Sequence, residues 1–358
     1  MKTRDYVLVN AQNISDSQTF TKDLKTGLKI QELRVIYQDQ NGATSNTLGK
    51  LNAMVSKLEV LDGSDVLHSL SFRQEQARDY FLTGRLPFQQ LSQAKDAIVI
   101  EEADIYFGRF PGDREFYLDT SRFSNAQLAL THALTVSASA GFVSGDGYLT
   151  VIAKLIEEGA LPCRGFIMSK QADAYTTLGT GYRTTDLPLK NDYQSLMFGA
   201  LETLIEPDVD ISNYKLTRND DSFVDFNLSA TQILQENMRR LPQATQKINI
   251  LPDTTFSWLG DLYGRLVGRI NLAGTTGKAV LTALAGEKLS GTMTTGETAE
   301  ISAVSRGYCP HSFLEWVFGD GREVDDYFKV AGLSKAELIA TDAAAGGAYT
   351  VVTNQLRS

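Results

Sequence analysis

Residues 57–87, KLEVLDGSDVLHSLSFRQEQARDYFLTGRLP, change hydrophobic period part-way along. Val66, His68 and Leu70 alternate with Leu67 and Ser69, the period of a strand, and Asp62-Gly63 before them is a favoured hairpin turn. From Ser71 the spacing becomes helical, with Ala77, Tyr80 and Phe81 on one face, Gly84 placed as a C-cap and Pro87 closing the segment. Ser71 followed three residues later by Gln74 is a capping box, which satisfies two free backbone donors at the helix start.

The same plan returns in residues 215–242, KLTRNDDSFVDFNLSATQILQENMRRLP. Lys57-Leu58 matches Lys215-Leu216, Ser64 matches Ser222, Val66 matches Val224 and Leu70-Ser71 matches Leu228-Ser229, each pair 158 positions apart by subtraction. Ser229 and Gln232 form a second capping box, here with Leu228 and Ile233 at the staple positions, where the first copy has Glu75 instead. Asn219-Asp220-Asp221 replaces the first turn with residues that tolerate left-handed backbone. Weaker matches extend the duplication: Tyr6–Val9 with Phe166–Met168, Gln12 with Gln171, Thr26–Lys29 with Thr180–Arg183, and Gln31-Glu32-Leu33 with Gln194-Ser195-Leu196. A repeat near half the chain length predicts two copies of one domain, 1–161 and 162–358, with the boundary at Gly159-Ala160-Leu161-Pro162.

After each helix come short strand-like runs divided by turn residues. In the first copy they are Ile98–Ile100, Ala103–Phe107, Glu115–Leu118, Ala126–Leu134 and Tyr148–Ile156. In the second they are Lys247–Leu251, Leu262–Leu272, Ala279–Leu284, Gly291–Thr294 and Glu300–Val304. This spacing predicts a sandwich or barrel, not alternating strands and helices. Residues 311–341 read as a C-terminal helical segment with an apolar cluster from Phe313 to Phe318, and Leu333-Ser334 with Glu337 reads as a further capped helix start. Ala343–Gly347 is a small-residue linker, and a last strand is predicted at Tyr349–Val352.

Composition removes several functions. The chain has 358 residues, 42% hydrophobic and 22% charged, enough for two cores and too apolar for disorder. Its formal net charge of −9 leaves no basic stripe for a phosphate backbone, so direct sequence-specific nucleic-acid binding is not expected. Cys163 and Cys309, one per half, make neither a disulfide framework nor metal-ligand spacing. The opening MKTRDYVLVNAQ lacks the apolar core of a signal peptide and no run is long enough for a membrane helix, so synthesis in a host cytoplasm is expected.

No catalytic constellation emerges. His68, His132 and His311 have no nucleophile elbow to serve, since Gly141–Gly145 has the wrong spacing. Gly274–Lys278 fails as a phosphate loop: its first glycine would fall at Leu272, and Ala279 replaces the magnesium-binding hydroxyl. Asp62/Asp65 and Asp220/Asp221 read as turn chemistry, and Asp325/Asp326 as a solvated face. Gly145-Asp146-Gly147 is a turn, and Asp119–Phe123 an exposed loop. No catalytic, cofactor-binding or metal residue is assigned, and no cofactor is expected beyond room for a weak structural calcium ion at no particular residue.

The order strand, strand, capped helix ending in Leu-Pro, then more strands, given twice, resembles the double jelly-roll major capsid proteins of tailless icosahedral viruses. The membrane-containing phages of the corticovirus and tectivirus kind are nearest in size. KLEVLDGSDVLHSLS and YKLTRNDDSFVDFNLS with their helices, and REFYLDTSRFSNAQLALT, carry the resemblance over Tyr6 to about Val304, leaving 311–341 unplaced. It implies a mainly β fold of two tandem eight-stranded jelly-roll β-sandwiches with short flanking helices. It implies no enzyme activity, but a homotrimeric, pseudo-hexagonal capsomer in a virion shell. Minor capsid, penton or spike proteins, and a lipid membrane beneath the shell, are the further partners it brings. The competing reading is a carbohydrate-binding or carbohydrate-active double β-sandwich, which needs exposed aromatic platforms or a carboxylate pair facing one groove; Trp258 and Trp316 both sit in apolar runs that read as core. A secreted hydrolase is disfavoured by the missing leader and nucleophile motif.

Overall fold

A computed structural model describes residues 1–44, 46, 49–138, 140–201, 205–250, 255–264, 267–273, 279–285, 288–293 and 300–358, with backbone alone for 250, 255–259, 267–273, 279–285, 288–293 and 300–301. The first half contributes β1 (Lys2–Ile14), β2 (Ser17–Asp23), β3 (Lys29–Gln40), β4 (Val55–Asp62), β5 (Asp65–Leu70), α1 (Phe72–Thr83), β6 (Ile98–Tyr106), β7 (Ala126–Ala133) and β8 (Gly147–Glu158). They pair as β1-β8-β3-β6 and β2-β7-β4-β5, two sheets between which the chain crosses at every step except the β4–β5 hairpin, in the jelly-roll manner.

The second half repeats this strand for strand. β9 (Phe166–Leu178), β10 (Tyr182–Asp186), β11 (Tyr193–Leu201), β12 (Ile211–Arg218), β13 (Phe223–Ser229), α2 (Ala230–Arg240), β14 (Leu314–Val317), β15 (Ala336–Asp342) and β16 (Ala345–Arg357) pair as β9-β16-β11-β14 and β10-β15-β12-β13. The chain is therefore a double jelly roll, as the sequence implies. Even the irregularities are duplicated. Gln31 and Gln194 are the extra residues of matching bulges on β3 and β11, and the first strand of each roll is bulged between Val7 and Val9 or between Gln171 and Asp173. These bulges fix the true register: Val7 corresponds to Gln171, Arg34 to Met197 and Ile152 to Val352. The match of Tyr6–Val9 with Phe166–Met168 is thus four residues out of step.

Local signals hold where backbone chemistry decides. Both helices start in complete capping boxes at Ser71/Gln74 and Ser229/Gln232, and Gly84 ends α1 at φ 74°. The hairpin turn shifts by one residue: Gly63-Ser64 are its central pair, with Gly63 at φ 61°, the turn type that asks for glycine first. In the second roll Asn219, Asp220 and Asp221 all take left-handed backbone. Glu115–Leu118 is mostly loop: Phe116 makes an isolated bridge to Gly165, and Leu118–Asp119 pairs with Lys29-Ile30. The Gly159–Pro162 link lies between β8 and β9.

Non-local pairing overturns two expectations. Residues 311–341 are not helical: Leu314–Val317 and Ala336–Asp342 are strands, and the only helical turn between them is the 3-10 turn Val324–Asp326. The expected cap at Ser334 fails because its Oγ and N–H both donate to Asn219 Oδ1, at 3.0 and 2.9 Å. The following residues alternate, with Ala336, Leu338 and Ala340 buried between β10 and β12. The linker Ala343–Gly347 is correspondingly short, since β16 already begins at Ala345. The runs from Lys247 to Val304 are not the second copy's remaining strands. They form an insertion between α2 and β14, with Ala244–Ile250, Glu300–Gly307 and Val267–Ala273 in one sheet and Thr255–Leu259, Lys288–Met293 and Ala279–Ala285 in another. Leu262–Leu272 is divided, Leu262-Tyr263 pairing with Cys309-Pro310. The loop Gly274–Lys278 and the Trp258 side chain lie outside the described residues.

Buried side chains gather into one core from Leu8 to Met168 and another from Leu187 to Val351. One carboxylate inside the first roll is costly. Asp39 is buried, its Oδ1 accepts from Gln40 N–H at 2.7 Å, and its Oδ2 has no hydrogen-bond partner. Burial pushes its pKa to about 7. A raised native value means the folded state binds more protons than the unfolded one, whose carboxyl titrates near 3.9. Stability is therefore expected to fall as pH rises from about 4 to about 7. Asp39→Asn is expected to make the decline in urea midpoint between pH 5 and pH 8 shallower. Equal pH slopes for the two proteins would remove Asp39 from this account.

Candidate assembly interface

The two rolls are joined by hydrogen-bonded sheet as well as by side chains. β5 pairs in parallel with β9 at Ser69 and Lys170, so one sheet of each roll runs into the other. A second parallel contact joins Gln89–Ser92 of the first half to Ala244–Ile250 at the base of the insertion.

Between the rolls lies α1. Most of its residues are buried, polar ones included, because it is covered on both sides. Ala77, Tyr80 and Phe81 form a third apolar cluster with Met197, Phe313 and Val352 of the second roll. Gln74 Nε2 donates to Gln171 Oε1 at 2.7 Å, and Tyr80 Oη to the Pro242 carbonyl at 2.7 Å. On its other side α1 holds its own roll: Asp79 Oδ2 accepts from Asp104 N–H at 2.7 Å. α2 makes the matching contact, Asn237 Oδ1 accepting from Glu315 N–H at 2.9 Å.

Two buried polar groups complete the junction. His68 Nε2 lies 2.7 Å from Glu75 Oε2, and Arg78 Nη1 lies 2.9 Å from Glu75 Oε1 while its Nη2 donates to the Tyr106 carbonyl at 2.6 Å. Burial acts to raise the Glu75 carboxyl, but His68 and Arg78 outweigh it and hold it below its ordinary value. The second group centres on Asp261 in the insertion. Its carboxylate accepts from Lys50 Nζ (3.2 Å), Asn52 Nδ2 (3.1 Å) and Gln246 Nε2 (2.7 Å), and lies 3.7 Å from His311 Nδ1. His311 Nε2 sits 2.9 Å from Gln76 Oε1, and Asn52 and Gln76 both donate to Glu101. Burial, with Asp261 next to it, pushes Glu101 up to about 7. Burial pushes His311 down to about 3. Asp261 stays ionised: burial works against it, but Lys50, His311 and Arg73 hold its carboxyl well below the usual range.

Every histidine is thus placed in internal structure. His132 is buried, its Nε2 2.7 Å from the Ser15 carbonyl. Asp62 accepts from Asn125 N–H at 2.6 Å, Asp65 pairs with Arg357, and Asp119 caps a 3-10 turn at Thr120–Arg122. Asp221 pairs with Lys215 at 2.9 Å, while Asp325 and Asp326 are exposed. Trp316 packs on Phe226 with ring centroids 4.6 Å apart and is no free platform for a sugar. Cys163 is half-buried and Cys309 buried, and neither is in a disulfide. Among the described residues no group of three or more His, Cys, Asp or Glu is arranged to hold a metal ion, and no helix is long and apolar enough to cross a membrane. A cavity of about 320 Å³ at the seam between the rolls is lined by Arg78, Arg109, Arg240 and Arg322. Its arginines are engaged: Arg78 with Glu75, Arg109 with Asp113 and Arg240 with Glu315, while Arg322 lies over the Phe110 ring.

No family model matches the chain, and no curated protein matches it. Solved structures do. The major capsid protein P2 from bacteriophage PM2 superposes with a TM-score of 0.54 at 8% identity, covering 100% of this chain and 98% of that one. The STIV MCP gives 0.60 at 9% identity over 99% and 96%, and PBCV-1 VP54 gives 0.58 at 8% identity over 99% and 93%. At these identities the likeness establishes the fold, over at least 99% of this chain and 93% of each of those.

Proposed function

We propose that this chain is a structural major capsid protein, and that three copies form a pseudo-hexagonal capsomer that tiles an icosahedral viral shell. The observation that carries the reading is the pair of rolls standing side by side on shared sheets, with α1 sealed between them. A chain carrying two such units gives six rolls from three copies, so a threefold ring can offer near-sixfold edges to its neighbours. The buried charges support a structural role: Asp261 of the insertion bonds to Lys50 and Asn52 of the first roll, and Glu75 to His68 and Arg78. The expected location is the virion, with minor capsid, penton or spike proteins as further partners and a viral membrane as the layer beneath. Enzymatic activity and sequence-specific nucleic-acid binding are not part of the reading.

Native mass measurement and light scattering on purified chain are expected to give a trimer, with hexagonal particles in negative stain. A chain that stays monomeric at micromolar concentration and never assembles would count decisively against the proposal.

A further inference from the structure

The duplicated bulges and helix contacts put the two rolls in residue-by-residue correspondence, and that correspondence exposes two unused surfaces. Within the chain, α1 of the first roll seats on the outer sheet face of the second, around Gln171, Met197, Phe313 and Val352. The equivalent helix, α2, is exposed on its outer side at Gln232, Gln235, Glu236 and Arg239, and Arg239's side chain is 77% so. The equivalent sheet face, on the first roll, is exposed at Val7 and half-buried at Arg34, Ile152 and Lys154, with Glu32 and Asp104 buried. Val7 corresponds to Gln171 and is 50% exposed, and Ile152 corresponds to Val352 and is half-buried.

We infer that α2 of one copy docks on the outer face of the first roll of a second copy, repeating between chains the contact α1 makes within one. This rests on the capsomer reading and names its contact surface. The chemistry of the two contacts differs. Phe81, Met197 and Phe313 are apolar inside the chain; their counterparts are Arg239, Arg34 and Glu102. On the first roll, Arg34 lies 2.9 Å from Glu32, 3.0 Å from Glu102 and 3.3 Å from Asp104, and Lys154 lies 2.9 Å from Glu32. Three carboxylates thus face two cations, and burial followed by Glu32 and Glu102 raises Asp104 to about 7. Arg239, which on α2 lies 2.9 Å from Glu236, brings a further cation to this group. The contact is head-to-tail, helix of one copy to sheet of the next, the type that closes into a ring. Because it is charged where the internal contact is apolar, chains fold alone and associate in a salt-sensitive step.

Charge reversal in the full chain tests this, since exposed Arg239 can be changed without disturbing the fold. Arg239→Glu is expected to weaken trimer formation at least about tenfold at low salt, and less at high salt. As a second measurement, chains carrying Val7→Cys are mixed with chains carrying Gln232→Cys, both with Cys163→Ser, and treated with a short thiol cross-linker. Covalent dimers are expected only in the mixture. A trimeric wild type whose association survives Arg239→Glu, with no cross-link in the mixture, overturns the assigned surface and leaves the capsomer standing. A wild type that remains monomeric overturns both.

Discussion

Replacing Glu75 with alanine is expected to destabilise the chain by about 3–5 kcal/mol, the usual consequence of removing one partner from a buried ionic group. His68 and Glu75 have no exposed side-chain surface and Arg78 has 4%, so neither water nor another side chain can take over when the carboxylate goes. The second roll supplies an internal control. The residues in register with His68 and Glu75 are Phe226 and Ile233, both buried in its core, so the same site is filled there without charge. The double variant His68→Phe/Glu75→Ile is therefore expected to lose much less than Glu75→Ala, because well-packed apolar replacements of buried ion pairs are often near neutral. The pH dependence has a definite sign. A carboxyl held below its unfolded value stabilises above that unfolded value, near 4.3, and loses the contribution as pH falls through the native one. Thermal and denaturant midpoints of the two variants at neutral pH decide the matter. A Glu75→Ala protein within about 1 kcal/mol of wild type would show that the site relaxes or hydrates.

Asp261→Ala is expected to cost about 3 kcal/mol or more, and to loosen one part of the molecule selectively. Asp261 is where the insertion meets Lys50 and Asn52 of the first roll, and the Gln246 bonds to its side chain and its N–H tie it to the insertion's first strand. Without the carboxylate, Lys50 keeps, among the described residues, the Gly260 carbonyl at 3.1 Å. Glu101 would simultaneously lose the neighbour that helps push it up. Limited proteolysis should therefore cut within residues 244–310 sooner in the variant than in wild type, alongside a lower melting temperature. Unchanged cleavage and melting would mean that the parallel pairing of Gln89–Ser92 with Ala244–Ile250 secures the insertion by itself.

What could be read from the sequence follows from how far each signal reaches. The capping boxes at Ser71 and Ser229 and the turns at Gly63 and Asn219 concern neighbours in the chain, and they locate the duplication. β14 and β15 were hidden because Phe313–Phe318 has helix-like apolar density and Leu333–Glu337 imitates a helix start. Only pairing with β11, β12 and β10, more than a hundred residues upstream, makes them strands. The insertion passed for the second copy's own strands because alternation says that a segment pairs, not with what. The junction was less legible still. Asn52 meets Glu101 across 49 positions and Asp261 across 209, and of that group only His311 stands out in the sequence, as a residue type rather than as a member of a cluster.

The placement of the insertion bears on folding order and on where the chain tolerates growth. Residues 71–97 connect β5 to β6, whereas 230–313 connect the equivalent β13 to β14. Closure entropy rises only logarithmically with loop length, so a connection about three times longer costs on the order of 1 kcal/mol. The first roll closes through shorter contacts and is expected to form earlier, giving β9 a ready edge at Ser69 on which the second roll assembles. A segment inserted between α2 and β14 hardly alters the equilibrium, delays only the later roll, and leaves the earlier template untouched. That connection is accordingly the natural place to splice in a foreign module.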